Sequence, residues 1–494
     1  MKSFCYLLFV SFLVTHFISC KSDKGTPQYG GFPADVGKIM VNKCAVSGCH
    51  NAQSSGACAN LALDSWSDMF LGSSNGPVII PYRTDFSPLL FFTNTFGDLD
   101  QGISIVPIMP YNAPPLSRAE MITLNNWITN GAPNNTGFVE FSNNPNRRKW
   151  YVTNQGCDVV CTFDEQAELT MRYINVGVTP AIEAPHQVKV SPDGQYWYVV
   201  FYAAGTVVQK FRTSDDSYVG DIYLGPALWS NLAISSDSKT GFVVNWNSPG
   251  SVFYLDLINL KILAEYQGAN LFTYPHGTVI NSATHTLYIT AQYGNFIYKI
   301  DITNPLAPNI GQVSLNGQPP NPQHNSSSPD PHEIAFSPDS SRYYVTCQNT
   351  NDVKVFSASN DSMIADIATG YYPQEMSVSY LSSTPYIFVS CQEDTVSFPG
   401  KRGSVSVINY NNNTLACKNI FTGWQPHGIA VDDYTGQVLV ANRNVNPTGP
   451  APHHQNSCGG RNGYVTFINV SNLSCNYNHQ VEVSADPYSV AFRK

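Results

Sequence analysis

Cys44-Ala45-Val46-Ser47-Gly48-Cys49-His50 places two thiols and an imidazole in one short segment, and Pro107-Ile108-Met109-Pro110 offers a thioether further along. Two thiols can add across the vinyl groups of a haem as thioethers. The histidine after the second is then forced beneath the iron, and a methionine sulfur can close the opposite axial position. The usual attachment motif has two residues between its cysteines and this one has four, so the spacer must bulge for both sulfurs to meet their vinyl carbons. A disulfide between Cys44 and Cys49 beside an unrelated histidine is the competing use of the same residues. Met69 and Met121 are the competing sulfurs. Met121 falls inside a predicted helix, where an axial ligand is less expected, so Met109 is preferred.

The elements that must position these groups are short helices. Val36, Ile39 and Met40 lie at helical spacing and predict a helix over 34–43 leading into the attachment segment. Ser117-Arg118-Ala119-Glu120 is a capping-box pattern that opens a second helix, running through Trp127 to a stop at Asn130-Gly131. From Val36 to Pro133 the order of motifs resembles small bacterial c-type cytochrome domains. The matching pieces are Cys49-His50-Asn51, Val78-Ile79-Ile80-Pro81, Ser87-Pro88-Leu89-Leu90, Met109-Pro110, Leu116-Ser117, Trp127-Ile128 and Gly131-Ala132-Pro133. The resemblance implies a cytochrome c domain over 34–133 with one covalent haem c, held by Cys44 and Cys49, with His50 proximal and Met109 distal.

Residues 1–20 combine a lysine-bearing start, an apolar run from Tyr6 to Ile18, and Phe17-Ile18-Ser19-Cys20, the pattern of an export signal. Its ending resembles a bacterial lipobox. That resemblance implies cleavage before Cys20, lipidation of its thiol and anchoring to the cell membrane or outer membrane on the extracytoplasmic side (periplasm or cell surface), with 21–33 as a polar tether. An ordinary cleaved signal is the alternative. Haem is attached to c-type cytochromes outside the cytoplasm, so the export and haem readings support each other. Of the 12 cysteines, Cys5, Cys20, Cys44 and Cys49 are then accounted for, and the rest occupy a compartment that permits disulfides. Cys157 with Cys161 and Cys417 with Cys475 are open pairings. Cys347 and Cys391 recur at one repeat position, where burial is the default.

The composition changes after Pro133. Beyond an Asn-rich linker at 134–148, few charges, many aromatics and short alternating segments between turns predict an all-β unit over 149–494. Inner-strand phrases recur at 188–191, 232–235, 278–281, 334–337, 376–379, 429–432 and 489–492, at intervals suited to four-stranded blades. Second strands follow them, as in Tyr151-Val152-Thr153-Asn154 and Tyr343-Tyr344-Val345-Thr346. These phrases resemble the repeats of bacterial propellers named for their Tyr-Val-Thr-Asn signature. The expected fold is mainly β, a small α-helical cytochrome c domain followed by a seven-bladed β-propeller. Tyr151 already belongs to a second strand and 489–492 is a lone inner strand, so the two ends are expected to complete one blade and remove an open edge.

In register, the residues before the inner strands are Tyr488, His186, Ser230, His276, His332, Gln374 and His427, and proline precedes all but Ser230. Inner strands line the channel, so His186, His276, His332 and His427 are expected around one mouth. Four imidazoles there suit a second metal, copper first among copper, zinc and iron. The alternative is a structural habit of the repeat, with each ring hydrogen-bonded to a neighbour's backbone. Long loops at 316–330 with His324, at 393–403, and at 443–462 with His453, His454 and Cys458 emerge on the same face and supply secondary candidates.

This plan resembles the periplasmic nitrite reductases that join a cytochrome c domain to a haem d1-binding propeller, and the ring resembles the copper centre of nitrous oxide reductase. The former has eight blades; the latter has more histidines and a separate copper domain. The resemblance therefore implies a redox pairing without a substrate. Three functions follow. One is an oxidoreductase whose channel site exchanges electrons with the haem. The others are an electron carrier whose propeller docks a redox partner protein, and a lipoprotein whose propeller binds a small ligand. A net charge of −9 offers no basic surface for nucleic acid. The first strand after the linker should enter from the face opposite the histidines, so the linker must carry the cytochrome around the propeller's side.

Overall fold

Short segments that alternate β-branched and aromatic residues bury both faces only when sheets stack around an axis. In the computed structural model, which describes residues 29–99, 103, 105–203, 205–454, 456 and 458–494, antiparallel sheets do so as seven blades. The export segment, Cys20 and most of the tether lie outside the described residues. Inner strands touch in cyclic order, from Pro185–Val190 in blade two round to Pro426–Asp432 in blade seven and Pro487–Arg493 in blade one. Apolar clusters fill the wedges between blades. Trp150, Leu439 and Phe467 pack between blades seven and one, and Tyr151, Trp197 and Val199 between blades one and two.

Blade one is built from the two ends of the propeller segment, as expected. Pro487–Arg493 pairs antiparallel with Lys149–Asn154, which continues to Val159–Asp164 and Thr170–Asn175. Blade seven departs from the simple pattern, because its outer edge is divided between Ser474–Cys475 and Val481–Ala485, both paired with Asn462–Asn469.

The inner strands begin two or three residues earlier than the periodicity predicts. Each starts at proline, or at Trp229 in blade three, so the register residue is the second residue of its strand. Immediately after that start the ladder shifts in every blade, between Pro185 and Gln187, Trp229 and Asn231, Pro275 and Thr278, and likewise round the ring. A bulge leaves one residue unpaired and re-aims its side chain. Alternation alone could not reveal it.

The N-terminal unit is helical. Helix α1 (Ala34–Ile39) runs into a π turn at Met40–Cys44, followed by α2 (Trp66–Met69), α3 (Pro88–Thr93) and α4 (Arg118–Thr129). The capping box of Ser117 and Glu120 is formed, and Gly131 takes the left-handed conformation beyond the helix end. Val36, Met40, Leu124, Trp127 and Ile128 share its core.

This unit docks on the outer edges of blades one and seven. Phe86 stacks on Tyr173 at 4.1 Å, Arg83 donates to the Tyr173 carbonyl at 2.7 Å, and Ile80 joins the cluster holding Trp150 and Val481. A Cβ on Gly76, where φ is +116°, would lie 3.0 Å from Val481, so the contact is close enough to require glycine. Cys157 forms a disulfide with Cys458. This pairing was not among the expected ones, because the loop that brings Cys458 back to blade one leaves no periodic trace. Cys161, Cys347 and Cys391 are buried free thiols, and Cys417 and Cys475 are also free.

Candidate functional site

The attachment segment is a closed turn. The His50 amide donates to the Cys44 carbonyl at 3.2 Å and the Cys49 amide to the Val46 carbonyl at 3.0 Å, while Gly48 has φ +81°. The four-residue spacer is thereby folded back and delivers Cys44, Cys49 and His50 to one cavity of about 470 Å³. Met109 enters the same cavity, held by its amide to the Phe92 carbonyl at 2.7 Å. Met69 and Met121 are core residues, 1 % and 2 % exposed, and do not line it.

The donor set and the walls fit a haem. The volume falls in the range of cofactor sites, and Leu61, Leu63, Val78, Leu89 and Phe92 make the lining apolar. His50 Nδ1 faces the Leu61 carbonyl at 3.3 Å, which leaves Nε2 for iron. Burial holds its pKa below the usual histidine value, so the ring is neutral as a ligand must be. Both cysteines are free thiols, and burial pushes Cys44 up to about 12.

His453 and His454 also line this cavity. They were expected over the propeller channel. The 443–462 loop of blade seven that carries them reaches across to the helical unit instead. Their backbone amides donate to the Glu482 carboxylate, and the Asn462 amide donates to the His454 carbonyl at 2.6 Å. His324 remains on the channel side, 2.5 Å from Asp330 in a separate cavity that shares Tyr293, Gln348 and Tyr372 with the channel mouth.

The four register histidines do converge. With Tyr488 they form a closed annulus. Successive ring centroids lie 4.3 Å apart from Tyr488 to His186, 5.5 Å to His276, 4.1 Å to His332, 5.4 Å to His427 and 3.7 Å back to Tyr488. Ser230 and Gln374 make no ring contact in it. His276 Nδ1 faces the His332 carbonyl at 3.2 Å and His427 Nδ1 the Tyr488 carbonyl at 3.0 Å, so both Nε2 atoms are left for other partners. Nε2 of His186 and Nε2 of His276 are 3.3 Å apart, and Nε2 of His427 is buried with no hydrogen-bond partner among the described residues. Burial lowers all four pKa values, that of His276 to about 4, so the annulus is uncharged near neutral pH. Among the described residues no group of three or more His, Cys, Asp or Glu side chains is arranged to hold a metal ion.

Above the annulus lies a second ring that the sequence reading missed. Gln155, Tyr202, Trp246, Gln292, Gln348, Gln392 and Arg443 each follow a second strand and line a cavity of about 270 Å³. In every blade the amide of this residue donates to the carbonyl of the residue before the inner strand, as in Gln155 to Asp486 at 2.8 Å and Gln348 to Asp330 at 3.0 Å. Trp246 Nε1 donates to Gln292, Gln292 to Gln348 at 3.0 Å, and Gln348 to Gln374 at 2.9 Å. The signal was present in Val345-Thr346-Cys347-Gln348 and Val389-Ser390-Cys391-Gln392, had the register been extended one residue past the strand.

No protein-family model matches the chain, and no curated protein matches its sequence. A functionally unknown protein from Desulfotomaculum acetoxidans is similar in structure, with a TM-score of 0.52 at 12 % identity over 70 % of this chain and 98 % of its own. That likeness is one of fold, and the fold is a β-propeller. Hydrazine synthase of Kuenenia stuttgartiensis has a TM-score of 0.46 at 16 % identity over 63 % of this chain and 89 % of its own. The dihydro-heme d1 dehydrogenase NirN, in complex with DHE, has a TM-score of 0.46 at 15 % identity over 92 % of this chain and 98 % of its own.

Proposed function

We propose that this chain is an extracytoplasmic electron-transfer protein. In this reading it carries one covalent haem c in its helical unit and exchanges electrons with a site at the mouth of its propeller. The observation that carries the reading is the convergence of Cys44, Cys49, His50 and Met109 on one apolar cavity. A haem bound there supplies one-electron chemistry at iron. Cys44 and Cys49 would hold its edge as thioethers, His50 Nε2 would be the proximal ligand, and the Met109 sulfur the distal one. The apolar walls exclude water, and the Leu61 carbonyl keeps the His50 ring in the ligating tautomer. The test is haem staining on a denaturing gel, with and without the two cysteines.

Support for electron exchange with the propeller lies in one loop. The 443–462 segment begins with Arg443 at the channel mouth and reaches His453 and His454 at the cavity of the helical unit. The two sites are thus walls of the same piece of chain. The channel site would take a transition metal, copper first, on His186 and His276. Two imidazole nitrogens bound at about 2.0–2.1 Å to one tetrahedral ion lie roughly 3.3 Å apart, and their Nε2 atoms already have that separation. His427 or His332 would complete the set by rotation. Protein isolated without chelators and reconstituted with copper, zinc or iron is expected to bind one non-haem metal per chain. His276→Ala/His332→Ala should lose it and keep its haem, by metal analysis of both proteins. Wild-type protein that takes up no stoichiometric metal would favour the second reading, in which the propeller only docks a redox partner or small ligand. The ring-to-ring packing of the annulus, with no group of three or more ligating side chains arranged to hold an ion among the described residues, favours that second reading.

Membrane anchoring belongs to the same proposal. Mass analysis of the mature protein is expected to find a lipid-modified Cys20 at the N-terminus, and an unmodified start elsewhere would remove the anchor.

A further inference from the structure

We propose that the propeller supplies an alternative sixth ligand to the haem iron, the imidazole of His453, in competition with the Met109 thioether. The inference rests on the haem reading above and concerns residues that reading does not use.

The two histidines of the loop are not equivalent. His454 Nδ1 lies 2.8 Å from the Asn462 amide and 3.3 Å from the Glu482 carboxylate, so its ring is engaged. The ring nitrogens of His453 make no hydrogen bond among the described residues, although the residue is fixed through its own backbone amide to Glu482. The His453 ring packs against Phe92 with centroids 5.4 Å apart, and Phe92 is the residue whose carbonyl receives the Met109 amide. His453 and Met109 are therefore both held against Phe92, one through its ring and the other through its backbone, and both line one cavity. Burial lowers the His453 pKa, which keeps its nitrogen lone pair available.

The loop is also built to hold a ligand in place. The Cys157–Cys458 disulfide ties it to blade one, and Arg461 donates to the Gly449 carbonyl at 2.7 Å and to the Pro450 carbonyl. A residue on a scaffold fixed at both flanks loses little further freedom when it ligates, which lowers the entropic cost. Thioether ligation favours ferrous iron and raises the potential. A second imidazole in its place would lower it, so the position of a propeller loop would set the haem's redox poise.

The experiment uses full-length, haem-loaded protein and reads visible absorption and electron paramagnetic resonance, with covalent haem content measured on every sample. Met109→Ala is expected to stay six-coordinate and low-spin with a bis-imidazole signature, at a lower midpoint potential than wild type. Met109→Ala/His453→Ala should become high-spin, whereas Met109→Ala/His454→Ala should remain low-spin. His453→Ala alone, with Met109 in place, should lose whatever bis-imidazole fraction the wild type shows, and its covalent haem content and melting temperature check that the loop substitution is tolerated. A high-spin Met109→Ala, or a low-spin Met109→Ala/His453→Ala, overturns the inference while leaving the haem reading intact. Absence of covalent haem from wild type would instead defeat the reading beneath it.

Discussion

A chain carrying Cys44→Ala and Cys49→Ala is expected to fold its propeller and to lose all haem staining on a denaturing gel. Each thiol supplies one thioether, so either single variant should keep part of the covalent haem and the double variant none. The propeller should survive because its apolar clusters form within and between blades, and only Ile80 and Phe86 of the helical unit enter one of them. The helical unit should loosen, since an apolar cavity of about 470 Å³ is left without the group that would fill it. Mass spectrometry of the wild-type chain separates this reading from its rival, because attachment adds the mass of a haem while a Cys44–Cys49 disulfide removes two hydrogens. Haem staining retained in the double variant, or a wild-type chain with the disulfide mass and no haem, would sink the assignment.

The parts of this molecule legible in its sequence are those governed by local pattern. The capping box at Ser117 and Glu120 formed because two side chains three residues apart satisfy each other's amides, which needs no tertiary information. The seven blades and their shared closure followed from a period and from a lone inner strand at the end. The histidines could be brought to one mouth because their register is fixed by proline at the first residue of the strand, where its missing amide is harmless.

What escaped was set by geometry across the sequence. The bulge at each inner-strand start re-aims the register residue, so that His276 meets His332 at 4.1 Å, and alternation cannot show it. The destination of His453 was likewise invisible. It depends on a loop tied by a disulfide between residues 301 positions apart and by Glu482, which belongs to the divided outer edge of blade seven. The second ring was missed for a different reason, since its four glutamines carry no metal or nucleophile signal. Their recurrence has meaning only once seven second strands are known to end at the same height.

Removing residues 487–494 is expected to abolish cooperative folding of the propeller. The segment is the inner strand of blade one and pairs in its own sheet only with Lys149–Asn154, every residue of which is buried. Its loss would leave that strand's edge facing the channel, an open template for intermolecular pairing. Tyr488 would leave the annulus, and His427 would lose the carbonyl its Nδ1 faces. Deleting a large buried aromatic side chain costs about 3–5 kcal/mol. Arg493 adds to this, for its guanidinium donates to the carbonyls of Gly194, Pro145, Arg147 and Thr213 and so joins the linker to blade two. Of these four bonds only the one to Thr213 is buried, and leaving that carbonyl unsatisfied costs about 1–3 kcal/mol. Together with the lost ladder, these terms reach the whole stability of a typical domain, about 5–15 kcal/mol. Arg493→Met is the graded control. It keeps the strand, removes the four donations, and should lower stability by about 1–3 kcal/mol with the annulus intact. Thermal unfolding by circular dichroism and the elution of each protein on size exclusion decide the matter. A truncated chain that elutes as the full-length protein does and melts within a few degrees of it would mean that Lys149–Asn154 can line the channel unpaired, and closure by the first and last strands of the propeller would not be what holds it together.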